Sequence, residues 1–116
     1  MSNQEDYFNR LTKDESLSNL QKYLKNILKI RGFDGQSIEL KLVLLIEEVG
    51  ELAKSIRKEN IDLAIDKNKL NNYSSVEEEL ADVFIVLLSI ANKLNIDMYD
   101  VFIKKEKENI YRKWEK

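Results

Sequence analysis

The sequence predicts an all-α domain of four helices, and three observations carry that reading. No proline occurs in its 116 residues, and the only glycines are Gly32, Gly35 and Gly50. Leucine, isoleucine, lysine and glutamate dominate, and all are tolerated well inside helices. Apolar residues recur at three- and four-residue spacing over long stretches, the period of a helix with one buried face. The length suits one domain, which we expect over residues 16–116 behind an N-terminal arm of residues 1–15. Tyr7 and Phe8 of that arm are candidates for packing on a neighbouring subunit.

The first helix is expected over about residues 16–31, with Leu17, Leu20, Leu24, Ile27 and Leu28 on one face. Gly32 fits the C′ position that closes a helix, with Phe33 folding back as its apolar contact. A second helix starts near Ser37 and runs to about Lys58. Its segment from Leu42 to Ile46 is apolar all round, which marks a central, buried helix. The polar stretch over residues 59–75 reads as a loop, with Leu63, Ala64 and Ile65 as a short extra turn. Ser75 with Glu78, or Ser74 with Glu77, forms a capping box that opens the third helix. That helix carries Leu80, Val83, Phe84, Leu87, Leu88, Ala91 and Leu94 and stops near Asn95. Asp97 is the expected N-cap of a fourth helix reaching about Trp114, with Val101, Phe102 and Ile110 inward.

Composition narrows the chemistry. Histidine and cysteine are both absent. That excludes zinc sites of the usual kind, thiol and imidazole catalysis, disulfides and Ser-His-Asp triads. Any metal must be held by oxygen, which favours magnesium, with manganese the alternative. A formal net charge of −2 gives no bulk attraction for nucleic acid. The acidic, polar start does not read as a signal peptide, and no apolar run approaches membrane-spanning length. We therefore expect a cytoplasmic protein without nucleic-acid or membrane partners.

Two carboxylate sets lie inside otherwise apolar helical runs. The first is Glu48 and Glu51, with Glu47 beside them; the second is Glu79 and Asp82. At about 100° per residue, a spacing of three puts both members of a pair on one helix face. An ionised carboxylate in apolar surroundings is costly unless a partner or a metal compensates it. Asp82 is the sharpest case, because six apolar residues follow it without a break. Four acids on two helices that pack together would make an all-oxygen site for a hard divalent cation. Gly50, between Glu48 and Glu51, costs about 1 kcal/mol relative to alanine inside a helix. Its missing Cβ allows either a ligand or another helix to approach closely.

Glu47-Glu48-Val49-Gly50-Glu51 fits the pattern E-E-x-x-E, and Glu79-Leu80-Ala81-Asp82 fits E-x-x-D. Lys105, Asn109 and Arg112 fit K-x-x-x-N-x-x-R, with Trp114 just beyond. In this order the motifs resemble the MazG-like nucleotide pyrophosphohydrolases of the all-α NTP pyrophosphatase superfamily, over about residues 17–114. The resemblance implies a four-helix MazG-like bundle completed by oligomerisation, as a homodimer or homotetramer. It implies magnesium-dependent hydrolysis of a nucleoside triphosphate between its α and β phosphates, in a housecleaning or pool-regulating role. By the resemblance Glu48, Glu51, Glu79 and Asp82 are metal ligands. Glu47 and Glu48 are the candidate catalytic acids, Glu47 standing open between a second ion, ligand orientation and general base. Lys105, Asn109 and Arg112 would contact phosphate oxygens, and Phe33 and Trp114 are aromatic candidates for the substrate.

Blander readings stand beside these. Buried ion pairs would account for the acids, and a solvated helix with pairs to Glu108 would account for Lys105 and Arg112. Core or interface packing would account for Phe33 and Trp114; Lys54 and Arg57, one turn after the first acid pair, are placed to reach phosphates, and solvation is the blander account of both. Among enzymes, phosphoribosyl-ATP pyrophosphohydrolase shares the acid pattern but carries a tyrosine-histidine pair where this chain has Asp82-Val83-Phe84-Ile85-Val86. A ferritin-like carboxylate bundle needs histidines that are absent here. A catalytically inactive nucleotide-binding module is opposed only by the intact acids.

Overall fold

The computed structural model describes residues 3–59 and 75–116, and every described element is helical or a turn. Five helices follow in order: α1 Gln4–Asn9, α2 Leu17–Ile30, α3 Ile38–Glu59, α4 Val76–Lys93 and α5 Met98–Ile110. The four expected helices are α2 to α5, and α1 is additional. The expected turn at Leu63, Ala64 and Ile65, and the alternative cap at Ser74, lie outside the described residues. The chain divides into two compact units, one of residues 1–35 with 91–116 and one of Gln36–Ile90.

In the first unit, α1 and α5 each pack on α2. A reciprocal cap starts α1: the Asp6 amide donates to Asn3 Oδ1 at 3.0 Å, and the Asn3 amide donates to Asp6 Oδ2 at 3.2 Å. Arg31 Nε donates to Gln4 Oε1 at 2.7 Å, tying α1 to the end of α2. Tyr7 is half-buried beneath the Arg10 guanidinium, whereas Phe8 is exposed. Ser16 caps α2 by accepting from the Asn19 amide at 3.0 Å.

The end of α2 forms as the sequence predicts. Gly32 sits at φ +83°, its amide donates to the Lys29 carbonyl, and the Phe33 amide donates to the Leu28 carbonyl. These are the two bonds of a Schellman motif. The Phe33 ring, however, stays 43% exposed, so the turn closes through its backbone rather than through apolar burial. Asn95 closes α4 in the same way at φ +57°, with the Ile96 amide donating to the Ala91 carbonyl.

A polar pin joins α2 to the turn between α4 and α5. Gln21, only 6% exposed, donates to Asn92 Oδ1 at 3.1 Å and to the Ile96 carbonyl at 2.9 Å. Its Oε1 accepts from the Met98 amide at 2.8 Å, and Asn92 Nδ2 donates to the Gln21 carbonyl at 2.9 Å. Asp97 caps α5 with one oxygen and accepts from Ser18 Oγ at 2.7 Å with the other. Every polar group of this pin is answered, which is the condition for burying one.

In the second unit, Ser37 opens α3 by accepting from the Leu40 amide, and Ser75 opens α4 by accepting from the Glu78 amide, each at 3.1 Å.

Two expectations about burial are corrected. The Leu42 to Ile46 stretch of α3 is not buried: Leu42, Val43 and Ile46 are 51%, 50% and 64% exposed. On α5, Val101, Phe102 and Ile110 point outward as well. Among the described residues only Leu24, Ile27, Leu88 and Ala91 are buried apolar ones. A helix apolar on every side needs neighbours all round it, and the described residues do not supply them on this face. α5 also stops at Ile110 instead of Trp114. The Trp114 indole donates to the Asn109 carbonyl at 3.0 Å, occupying the acceptor that the next helical amide would use.

Candidate metal centre

Three carboxylates converge inside the second unit. Glu48 of α3 and Glu79 and Asp82 of α4 each place an oxygen within 4.8 Å of the others. Among the described residues this is the one group of acids so arranged. The three-residue step from Glu79 to Asp82 puts both on one side of α4, where Glu48 meets them.

The electrostatics are those of a site short of positive charge. Glu79 is 4% exposed, and its Oε2 has no hydrogen-bond partner. The Glu48 carboxyl is pushed above its ordinary value, first by burial, then by the charges of Asp82 and Glu79, a carboxyl hydrogen bond with Glu79, and the charge of Glu51. A buried oxygen without a donor, facing two further carboxylates, fits a hard divalent cation and an all-oxygen donor set.

The sequence singled out Asp82 as the costly buried acid, but Asp82 is exposed and Glu79 is the buried one. The apolar run after Asp82 reports the neighbours along the helix, not the burial of this residue. Glu51 stands apart from the convergent three. Lys54 Nζ lies 3.6 Å from its Oε1, with both side chains about half exposed. Glu47 is exposed. A Cβ built on Gly50 meets nothing within 4 Å, so no described part of this chain requires the glycine for close packing.

The basic residues of the tail belong to the first unit, and their contacts there are local. Lys105 pairs with Glu108 at 3.5 Å, and Asn109 Nδ2 donates to Glu106 Oε1 at 3.0 Å. Arg112 lies over the Trp114 ring at 4.7 Å and donates to Asn109 Oδ1 at 3.4 Å. Trp114 itself is 68% exposed. The Lys54–Glu51 pair was missed as a feature, although a spacing of three on one helix is the available signal.

A helical domain with a carboxylate cluster of this kind is the class that fold and site define. Residues 36–113 match the family model for the MazG nucleotide pyrophosphohydrolase domain. The chain belongs to that family. It is also similar to iMazG from Vibrio DAT 722, seen in a crystal structure, at 34% identity and a TM-score of 0.60. That likeness covers 82% of this chain and 94% of the other. No curated protein matches it. Among the described residues, no helix is long and apolar enough to cross a membrane.

Proposed function

We propose that the protein hydrolyses (deoxy)nucleoside triphosphates between the α and β phosphates, giving a nucleoside monophosphate and pyrophosphate, in a cytoplasmic housecleaning or pool-regulating role. The observation that carries this is the convergence of Glu48, Glu79 and Asp82, with a buried Glu79 oxygen left without a donor, in a chain of the MazG family. Glu48, Glu79 and Asp82 would hold magnesium, with Glu51 as the fourth acid. When bound, the ion neutralises phosphate oxygens and lowers the pKa of water.

Water attacks the α phosphorus, the bond to the bridging oxygen breaks, and pyrophosphate leaves. Glu47 or Glu48 accepts the water proton. Lys105, Asn109 and Arg112 bind phosphate oxygens, and Phe33 and Trp114 offer faces to the base, assignments that rest on the motif resemblance. The exposed Leu42, Val43, Ile46 and Val49 of α3 support a homodimer or homotetramer, which sedimentation of the purified protein would reveal.

A panel of standard and modified nucleoside triphosphates tests the reading. With magnesium, pyrophosphate should appear without orthophosphate, and chelation should stop it. Orthophosphate with a nucleoside diphosphate as first products would overturn it.

A further inference from the structure

Lys54 and Glu51 form an ion pair one turn along α3 from Glu48, with Nζ 3.6 Å from Oε1. We propose that Lys54 is a substrate-binding residue held in reserve by Glu51: it competes with the divalent cation for that carboxylate, and once displaced it binds the phosphate oxygens of the substrate. This rests on the metal-dependent triphosphate reading above.

The competition follows from charge. Glu51 can hold the ammonium or help hold a divalent cation, and both together on one carboxylate repel each other. The pair is weakly held, because the Lys54 and Glu51 side chains are 59% and 48% exposed. Exposed pairs of this kind contribute little and exchange readily.

Displacement leaves an ammonium on a flexible stem, three residues after Glu51 and six after Glu48 on the same helix. A phosphate chain drawn to the cation is the densest anion within its reach, and lysine meets phosphate as a mobile point charge. The Lys105–Glu108 pair has the same spacing and similar exposure, yet it lies on α5, whereas Glu51 follows Glu48, a member of the convergent three, by one turn of α3. The setting of Glu51, not the pair itself, gives Lys54 a task.

The test compares wild type, Lys54→Met and Lys54→Arg. Calorimetric titration with magnesium and with manganese, without nucleotide, is followed by steady-state kinetics on a nucleoside triphosphate. Lys54→Met should bind the cation about two- to fivefold more tightly, since a competing charge of surface-pair strength is gone. Its KM should rise about tenfold, the loss of one charge-assisted contact to phosphate. Lys54→Arg should lie near wild type in both. Circular dichroism of this exposed-site variant should be unchanged.

If wild type binds cation and turns over while Lys54→Met alters neither quantity, or alters only the cation affinity, the proposal is overturned and the metal reading stands. If wild type binds no cation at all, the metal reading fails and takes this proposal with it.

Discussion

Glu48 of α3 and Glu79 of α4 hold carboxylate oxygens within 4.8 Å of each other, and the Glu79 oxygen Oε2 has no hydrogen-bond donor. Two acids that close, one of them buried, repel across poorly screened space, and Asp82 adds a third charge. Folding tolerates this arrangement at a cost to stability. A divalent cation held by the three would convert part of that cost into binding energy, because its two positive charges offset most of their mutual repulsion.

Removing one charge should therefore separate stability from activity. Asp82→Asn and Glu51→Gln are expected to abolish magnesium-dependent turnover while leaving the helical circular dichroism intact. In chelator, the melting temperature of Asp82→Asn should rise, because a repelling carboxylate has become neutral, whereas Glu51→Gln also gives up the Lys54 pair and should change little. Near-wild-type activity in either variant at saturating magnesium would remove that residue from the ligand set.

Cleavage position is open to isotope labelling. If water attacks the α phosphorus as proposed, hydrolysis in oxygen-18 water should put the label in the nucleoside monophosphate and none in pyrophosphate. Label in pyrophosphate would move the attack to the β phosphorus.

The sequence disclosed the helices better than their surroundings. Gly32, Ser37, Ser75 and Asp97 act at helix ends as read, because caps and Schellman turns are decided within a few residues. The spacing of Glu79 and Asp82 also foretold a shared face. Which of the two is buried was not legible, since that depends on what packs against α4 rather than on its neighbours in the chain. The Gln21–Asn92 pin escaped for the same reason: its partners are 71 residues apart, and no periodicity links them. The exposed α3 face was misread because an apolar run says that something must cover it, not that the same chain does.

Ser18 and Asp97 offer a pH test. The Asp97 carboxyl is held below its ordinary value of 3.8, first by the Ser18 hydrogen bond and then by the Asp100 amide. A depressed folded pKa contributes stability that is full above the ordinary value and is lost as pH falls through the folded one. Ser18→Ala should lower the melting temperature at neutral pH. The gap from wild type should close as pH falls below 3.8, where wild type protonates Asp97 and gives up the advantage. A gap that stays constant down to the acid transition would show that Ser18 acts through packing alone.

Arg112 decides whether the tail belongs to the chemistry. Its guanidinium lies 4.7 Å from the Trp114 ring and reaches Asn109 Oδ1 at 3.4 Å, a long and exposed contact. Exposed cation–π contacts contribute about 0.5–1 kcal/mol, so Arg112→Ala should lower stability by no more than about that amount. If Arg112 also clamps the triphosphate, kcat/KM should fall by a factor worth about 1.5–3 kcal/mol, roughly 10- to 150-fold. Magnesium affinity without nucleotide should stay unchanged, because the arginine is not a metal ligand. Arg112→Lys should recover only part of the loss, since a point charge cannot reproduce a two-pronged contact. Trp114→Ala removes the ring but leaves the guanidinium, so it should share the small stability loss while keeping most of the phosphate contact. Equal kinetics for wild type and Arg112→Ala would reduce the arginine to a cap on the last turn of α5.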